Sequence, residues 1–148
     1  MNEVTIRGAT APDFDRVVQL LEQAHLPLAG VAEHFSNFLV AESDGTVVGA
    51  IGLELYGATA LLRSAVVHPS WRNKGVGSLL YETLLRNATT NGIRRLILRT
   101  NTAEMYFARK GFKPIPLASV SGPITMSAEF NGVCNHAVCM ELLIGVEP

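Results

Sequence analysis

The chain has 148 residues, 48% of them hydrophobic and 17% charged, with a net charge of −1. That length supports one domain, residues 1–148, with a core of its own, and the near-neutral balance offers no basic surface for nucleic acid or an anionic membrane. The apolar runs are too short to cross a bilayer, and Met1-Asn2-Glu3-Val4 lacks the basic-then-apolar opening of a signal peptide, so a cytoplasmic location is expected.

Val4 to Arg7 alternates and reads as a first strand. Thr10-Ala11-Pro12-Asp13 is a helix start, with Thr10 as N-cap and Asp13 at the capping-box position. Phe14, Val17, Val18 and Leu21 follow on one face, and Leu26-Pro27 ends the helix. Ala29 to Phe35 predicts a short second helix, and Asn37 to Ala41 a strand. Ser43-Asp44-Gly45 is a tight turn into a long strand, Thr46 to Tyr56, whose Gly49 and Gly52 mark a bulge or a close backbone approach. After Gly57-Ala58-Thr59, a strand from Ala60 to Val67 runs into His68-Pro69.

The chain then reads Trp71-Arg72-Asn73-Lys74-Gly75-Val76-Gly77, followed by apolar residues at helical spacing over Ser78 to Thr89 and an Asn91-Gly92 cap. Strand, glycine-rich turn and helix in that order aim backbone N–H groups and the positive end of a helix dipole at one spot, beside two cationic side chains. That arrangement suits a pyrophosphate. It is not a Rossmann fingerprint, because Leu80 stands where the third glycine belongs, and the Gly-Lys-Ser/Thr of a Walker A loop is absent.

Ile93 to Thr100 is a strand with the apolar centre Leu96-Ile97-Leu98 of a segment covered on both faces. Thr102 to Lys110 is a helix closed by Gly111-Phe112. Lys113 to Val120 predicts a strand interrupted by Pro114 and Pro116, Pro123 to Phe130 a short helix, and Ala137 to Leu143 a last strand. Cys134, His136 and Cys139 could be read as metal ligands, but a strand splits them over two faces, so no metal site is expected and the thiols read as buried.

Arg-x-x-Gly-x-Gly entered from a Val-x-Pro strand end, with a helix ending in Gly-Phe downstream, resembles the coenzyme A loop of the GNAT acetyltransferase superfamily. The element order matches that fold along nearly the whole chain. The fold expected is therefore α/β, a single GNAT domain with a mixed sheet of about six to seven strands flanked by helices. Phe38-Leu39-Val40-Ala41-Glu42, Gly52 to Gly57, Ala60 to Ser64, Arg99 to Glu104 and the tail around Ser127-Ala128-Glu129-Phe130 also resemble the small amino-acid-type N-acetyltransferases associated with arsenic resistance. The resemblance implies transfer of an acetyl group from acetyl-CoA to the primary amine of a small amino-acid-like acceptor, by direct attack in a ternary complex. It further implies that backbone at Val66 and Val67 holds the pantetheine. Amides from Arg72, Asn73, Lys74, Gly75, Val76 and Gly77 then hold the pyrophosphate, and Asn101 and Thr102 are candidates for the pantetheine amide. Homodimers are common in the superfamily.

On the acceptor side, Glu54 and Arg63 project from one face if their strands are joined by a short even turn. A carboxylate and a guanidinium suit the two ends of an α-amino acid; a cross-strand ion pair on a solvated face is the equal alternative. Tyr56 shares that face. Glu54 is the candidate base, and His25 a weaker one. Many relatives carry a tyrosine four residues before the helix-ending glycine, where this chain has Phe107. Tyr106, about 100° around the helix, either turns toward the sulfur or packs in the core and leaves water to protonate the thiolate. Two other classes stand beside the enzyme: a coenzyme A-binding sensor or interaction module without catalysis, and an acetyltransferase of protein amines.

Overall fold

The computed structural model describes residues 3–132 and 137–145. Its elements are β1 (Thr5–Gly8), α1 (Phe14–Gln23), α2 (Val31–His34), β2 (Phe38–Ser43), β3 (Thr46–Tyr56), β4 (Thr59–Val67), α3 (Val76–Thr90), β5 (Arg95–Thr100), α4 (Glu104–Arg109), β6 (Lys113–Pro114), α5 (Ala128–Gly132) and β7 (Val138–Leu143). The strands form one mixed sheet in the order β1-β2-β3-β4-β5-β7-β6. β1 to β4 are an antiparallel meander, α3 crosses over to place β5 parallel to β4, and β7 inserts antiparallel between β5 and β6.

Local chemistry sets the joints. Thr10 donates through its backbone N–H at 2.7 Å and its hydroxyl at 3.0 Å to Asp13 Oδ2, fixing the start of α1. Asp44 and Gly45 both have positive φ, 51° and 79°, as a type I′ hairpin between β2 and β3 requires. Alternation then divides the side chains. Val48 and Leu53 of β3, Ala60 and Leu62 of β4 and Leu96 and Leu98 of β5 meet Val76, Leu80, Tyr81 and Leu84 of α3 and Phe107 of α4. On the other face, Val47, Ala50 and Val66 meet Val17, Leu20 and Leu21 of α1 with Val31 and Phe35. A third cluster joins Leu61 and Ile97 to Val120, Ile124 and Phe130 beyond the meander.

Three expectations change. The short second helix covers only Val31–His34, continued by a 3-10 turn, Phe35–Asn37. The strand expected over Lys113 to Val120 shrinks to Lys113–Pro114, because two prolines cannot donate to a ladder; Leu117–Ser119 is a 3-10 turn instead. The helix expected over Pro123 to Phe130 breaks into a 3-10 turn, Pro123–Met126, and α5. Cys134 and His136 lie outside the described residues; Cys139 is a buried free thiol. No group of three His, Cys, Asp or Glu that could hold a metal assembles among the described residues. No helix among them is long and apolar enough to cross a membrane.

The step that opens the sheet is a bulge. Ala50 pairs with Val66 and Gly52 with Arg63, so Ser64 and Ala65 together face Ile51. Ser64 takes φ 59°, a left-handed conformation that costs a non-glycine residue about 1–3 kcal/mol. Its Oγ accepts a hydrogen bond from Arg63 Nε at 3.0 Å. The bulged β4 leaves β5: their ladder stops at Leu61↔Ile97, and beyond it no strand among the described residues pairs with that edge of β4.

Candidate active site

The gap between the diverging strands is a cavity of about 240 Å³, walled by β4, α3, β5 and α4. At one end lies the glycine-rich loop. Asn73 and Gly75 have φ 63° and 81°, and this double reversal turns the chain into α3 at Val76. The first-turn amides of a helix have no acceptor within it, and the dipole favours an anion there. Val76 itself is 3% exposed, so its side chain belongs to the core. Arg72 Nε reaches back to the Val67 carbonyl at 3.3 Å, and Lys74 Nζ lies 5.5 Å from the Trp71 ring centroid. Both cations are exposed, and these contacts tether them beside the loop. Val66 and Val67 of β4 line the cavity.

Phe107 is 6% exposed and packs against Tyr81 and Phe112, while Tyr106 is half-buried against the same cluster; both line the cavity. The Tyr106 hydroxyl is 3.3 Å from Ser78 Oγ and about 3.9 Å from where a side chain would begin at Gly77. Lys110 Nζ bonds the same Ser78 Oγ at 3.2 Å and sits 5.4 Å from the Tyr106 ring. Tyr106 thus packs its ring on the core while its hydroxyl reaches the start of α3. Phe107 and Phe112 occupy the buried stripe of the short helix and its cap, which rotates Tyr106 toward the N-terminus of α3. Thr102 lines the cavity as well, while Asn101 lies outside it on an adjoining hollow of about 210 Å³. Thr100 Oγ1 fixes this corner by accepting from the amides of Ala103 at 2.9 Å and Thr102 at 3.3 Å.

Glu54 and Arg63 do meet, though diagonally: Glu54 stands opposite Leu61, and Arg63 opposite Gly52. Arg63 Nη1 donates to Glu54 Oε2 at 2.7 Å. The alternative of a solvated ion pair is overturned, because the two side chains are 0% and 1% exposed. Arg63 also donates to the carbonyls of Ala29 at 2.7 Å and Pro27 at 3.3 Å, so it straps the α1–α2 loop to the sheet. Glu54 receives Tyr56 Oη at 2.5 Å and has His34 Nε2 at 3.7 Å. Burial raises its carboxyl, but hydrogen bonds from Ser127, Tyr56 and Arg63 outweigh that and hold it below the usual carboxylate range. Burial, then the Glu54 carboxylate, pushes the Tyr56 hydroxyl up to about 12. Glu54 is absent from the cavity lining; it is enclosed, each of its oxygens is bonded and its carboxyl is held low, all of which weigh against it as a base in direct contact with an acceptor.

Two residues not foreseen in the sequence join the site. Arg99 of β5 lines the cavity, donates to the Phe130 carbonyl at 2.9 Å and lies 5.8 Å from the Phe130 ring. Glu129 of α5 also lines it, 3.5 Å from Arg63 Nη2. Burial pushes the Glu129 carboxyl up, against the opposing pull of Arg63. Nothing in the spacing of Ser127-Ala128-Glu129-Phe130 marks a site; only the return of the chain over β4 and β5 brings it there. His25, at φ 59°, lies on the rim of the outer hollow with Pro27 and Asn101.

Residues 34–114 match the family model described as an acetyltransferase (GNAT) domain. The chain is 26% identical over 125 residues to the amino-acid acetyltransferase of Pasteurella multocida, covering 78% of this chain and 28% of that protein. It is 33% identical over 86 residues to an uncharacterized N-acetyltransferase of Chlorobaculum tepidum, covering 57% of this chain and 55% of the other. The chain thus spans under a third of the amino-acid acetyltransferase and about half of the second relative. Among solved structures, N-acetylglutamate synthase of Neisseria gonorrhoeae, complexed with coenzyme A and N-acetyl-glutamate, superposes with a TM-score of 0.83 at 22% identity, over 96% of this chain and 35% of that one. A Mycobacterium tuberculosis protein complexed with coenzyme A gives 0.77 at 24% identity, over 95% and 99% of the two chains. These superpositions establish the shared fold. With its loop, bulged strand and open cavity in the same chain segment that the model covers, the protein belongs to the GNAT acetyltransferase family.

Proposed function

We propose that this protein transfers the acetyl group of acetyl-CoA to the primary amine of a small amino-acid-like acceptor, by direct attack in a ternary complex. The observation that carries the reading is the lining of the cavity: two guanidinium groups, Arg63 and Arg99, and one carboxylate, Glu129, close to the open edge of β4. Guanidinium groups complement a carboxylate, and a buried carboxylate complements an ammonium. The amino-acid acetyltransferase relatives favour the same acceptor class. An organoarsenical amino-acid analogue is the finer form of this proposal, supported by the sequence motifs alone.

On the donor side, the amides of Arg72 to Gly77 hold the pyrophosphate, assisted by the Arg72 and Lys74 charges. The free edge of Val66 and Val67 bonds the pantetheine as an added strand would and turns the thioester carbonyl toward β4. Thr102, with Asn101 at its entrance, bonds the far side of the same arm. Tyr106 gives the departing thiolate its proton; its hydroxyl lies between the helix terminus and the cavity. Glu54 and Tyr56 act behind the acceptor pocket, holding Arg63 in place.

The test is thiol release from acetyl-CoA with a panel of amino acids, amino-acid analogues including an arsenical one, simple amines and peptides. Release with α-amino acids and not with amines lacking a carboxylate is expected. Release with peptides alone supports a protein-amine transferase instead, and coenzyme A binding without release for any acceptor refutes the enzyme.

A further inference from the structure

Glu129 is the feature of the cavity that the donor site does not use. Its side chain is 8% exposed, yet Oε1 has no hydrogen-bond partner among the described residues. Its nearest cation, Arg63 Nη2, stands 3.5 Å away, too far and too committed elsewhere to satisfy it. A buried carboxylate oxygen left unbonded costs several kcal/mol unless a ligand completes it. Glu54 shows the contrast: both its oxygens are occupied, by Tyr56 on Oε1 and Arg63 on Oε2.

Position sharpens the point. Two hollows meet beside α5, the cavity that reaches Tyr106 and Gly77 and the outer one rimmed by His25 and Asn101; Glu129 lines both. A donor arm entering from the loop and an acceptor entering from the rim come together at this carboxylate.

Resting on the acetyltransferase reading above, we propose that Glu129, not Glu54, is the catalytic base that takes a proton from the acceptor ammonium. The bookkeeping is complete without further reactants. The ammonium gives one proton to Glu129, and the nitrogen lone pair forms the C–N bond at the thioester carbonyl. Collapse of the tetrahedral intermediate breaks the C–S bond. The second proton lost by nitrogen replaces the one Tyr106 gives the thiolate, and Glu129 returns its own to solvent through the outer hollow. Arg63 from β4 and Arg99 from β5 face the carboxylate and favour its ionised form; Glu54 from β3 and burial oppose them, so it titrates above an ordinary carboxyl. That is the direction a base requires.

The measurement is the pH profile of kcat/KM, taken with two acceptors whose amine pKa values differ, since an acid limb belonging to the enzyme stays in place when the amine changes. The expected result is an acid limb common to both acceptors in the wild type. In E129Q that limb disappears, kcat falls about 10²–10⁴-fold, and the coenzyme A Kd stays within twofold. E54Q keeps the limb. Where E129Q melts well below the wild type, E129D decides, because its shorter carboxylate keeps the limb with reduced kcat. A limb retained in E129Q, or a limb lost in E54Q alone, overturns the role of Glu129 and leaves the acetyltransferase reading intact. A wild type that binds coenzyme A and acetylates no amine overturns both.

Discussion

Gly52→Ala tests the packing that holds the bulged strand. A methyl group at Gly52 lies 2.3 Å from Cε1 of Phe38 and 2.5 Å from both Cδ1 and Cζ. Carbon atoms in contact sit about 3.5–4.0 Å apart, so three ring atoms are each about 1 Å too close. Neither partner has room to move. Phe38 and Gly52 are cross-strand partners, which fixes their separation by the ladder, and the Phe38 ring is 1% exposed with the Phe35 ring centroid 5.4 Å away. Overpacking costs about 1–3 kcal/mol, and three simultaneous overlaps place this variant at the upper end. For a chain of this size that lowers Tm by about 6–12 °C. Circular-dichroism melts and urea titration measure it. The double variant G52A/F38L should lose less than the sum of the single variants by more than about 1 kcal/mol, since the smaller side chain makes room for the methyl. Because Gly52 also pairs with Arg63 of β4, the acceptor KM rises in G52A more than the coenzyme Kd does. A loss below about 0.5 kcal/mol, or strict additivity in the double variant, refutes the reasoning.

Gly75→Glu puts a carboxylate beside the pyrophosphate-binding amides and forces a side chain onto φ 81°, so coenzyme A affinity falls about a hundredfold or more, while Gly75→Ala, with backbone strain alone, falls far less. Equal affinities of wild type and G75E by calorimetry would falsify the loop assignment. Tyr106→Phe lowers kcat by about 10²–10⁴-fold with little change in coenzyme Kd, and a kcat within twofold of wild type removes Tyr106 as the proton donor. Asp13→Asn addresses acid stability. Hydrogen bonds from Arg7, at 2.8 and 3.0 Å, exceed the opposing effect of burial and hold the Asp13 carboxyl well below its unfolded value. Its contribution is therefore present above about pH 4 and is lost as pH falls toward the folded value. The variant is less stable at neutral pH by about 1–3 kcal/mol and its stability varies less with acid pH; parallel pH–stability curves for the two proteins count against the Arg7–Asp13 account.

The glycine-rich loop was readable because its signals are local. Arg72, Lys74, Gly75 and Gly77 follow one strand and open one helix, and Gly77 lines the cavity. Tyr106 was ambiguous for an equally local reason: α4 has only six residues, Glu104–Arg109, so a single turn of pattern cannot say which face is buried. Phe112, beyond the helix, settles it by packing on Phe107. Alternation puts Glu54 and Arg63 on one face, and the register of the Gly57-Ala58 hairpin makes their meeting diagonal; the bulge opposite Ile51, flanked by Gly52, comes after both. Pro114 and Pro116 cut the strand to Lys113–Pro114, since neither can donate to a ladder.

The order of elements and the family were thus determined by the sequence alone, through alternation, capping and short-range spacing that any folded context would respect. Tertiary structure decided which carboxylate faces the cavity. Residues 54 and 129 stand far apart in the chain, and both come to rest around Arg63. One of them has every oxygen bonded, and the other keeps an oxygen open. That difference arises because Glu54 is enclosed by partners of its own hairpin, Tyr56 and Arg63, whereas Glu129 arrives on a segment that folds back over the gap between β4 and β5, a return not written in the spacing of nearby residues.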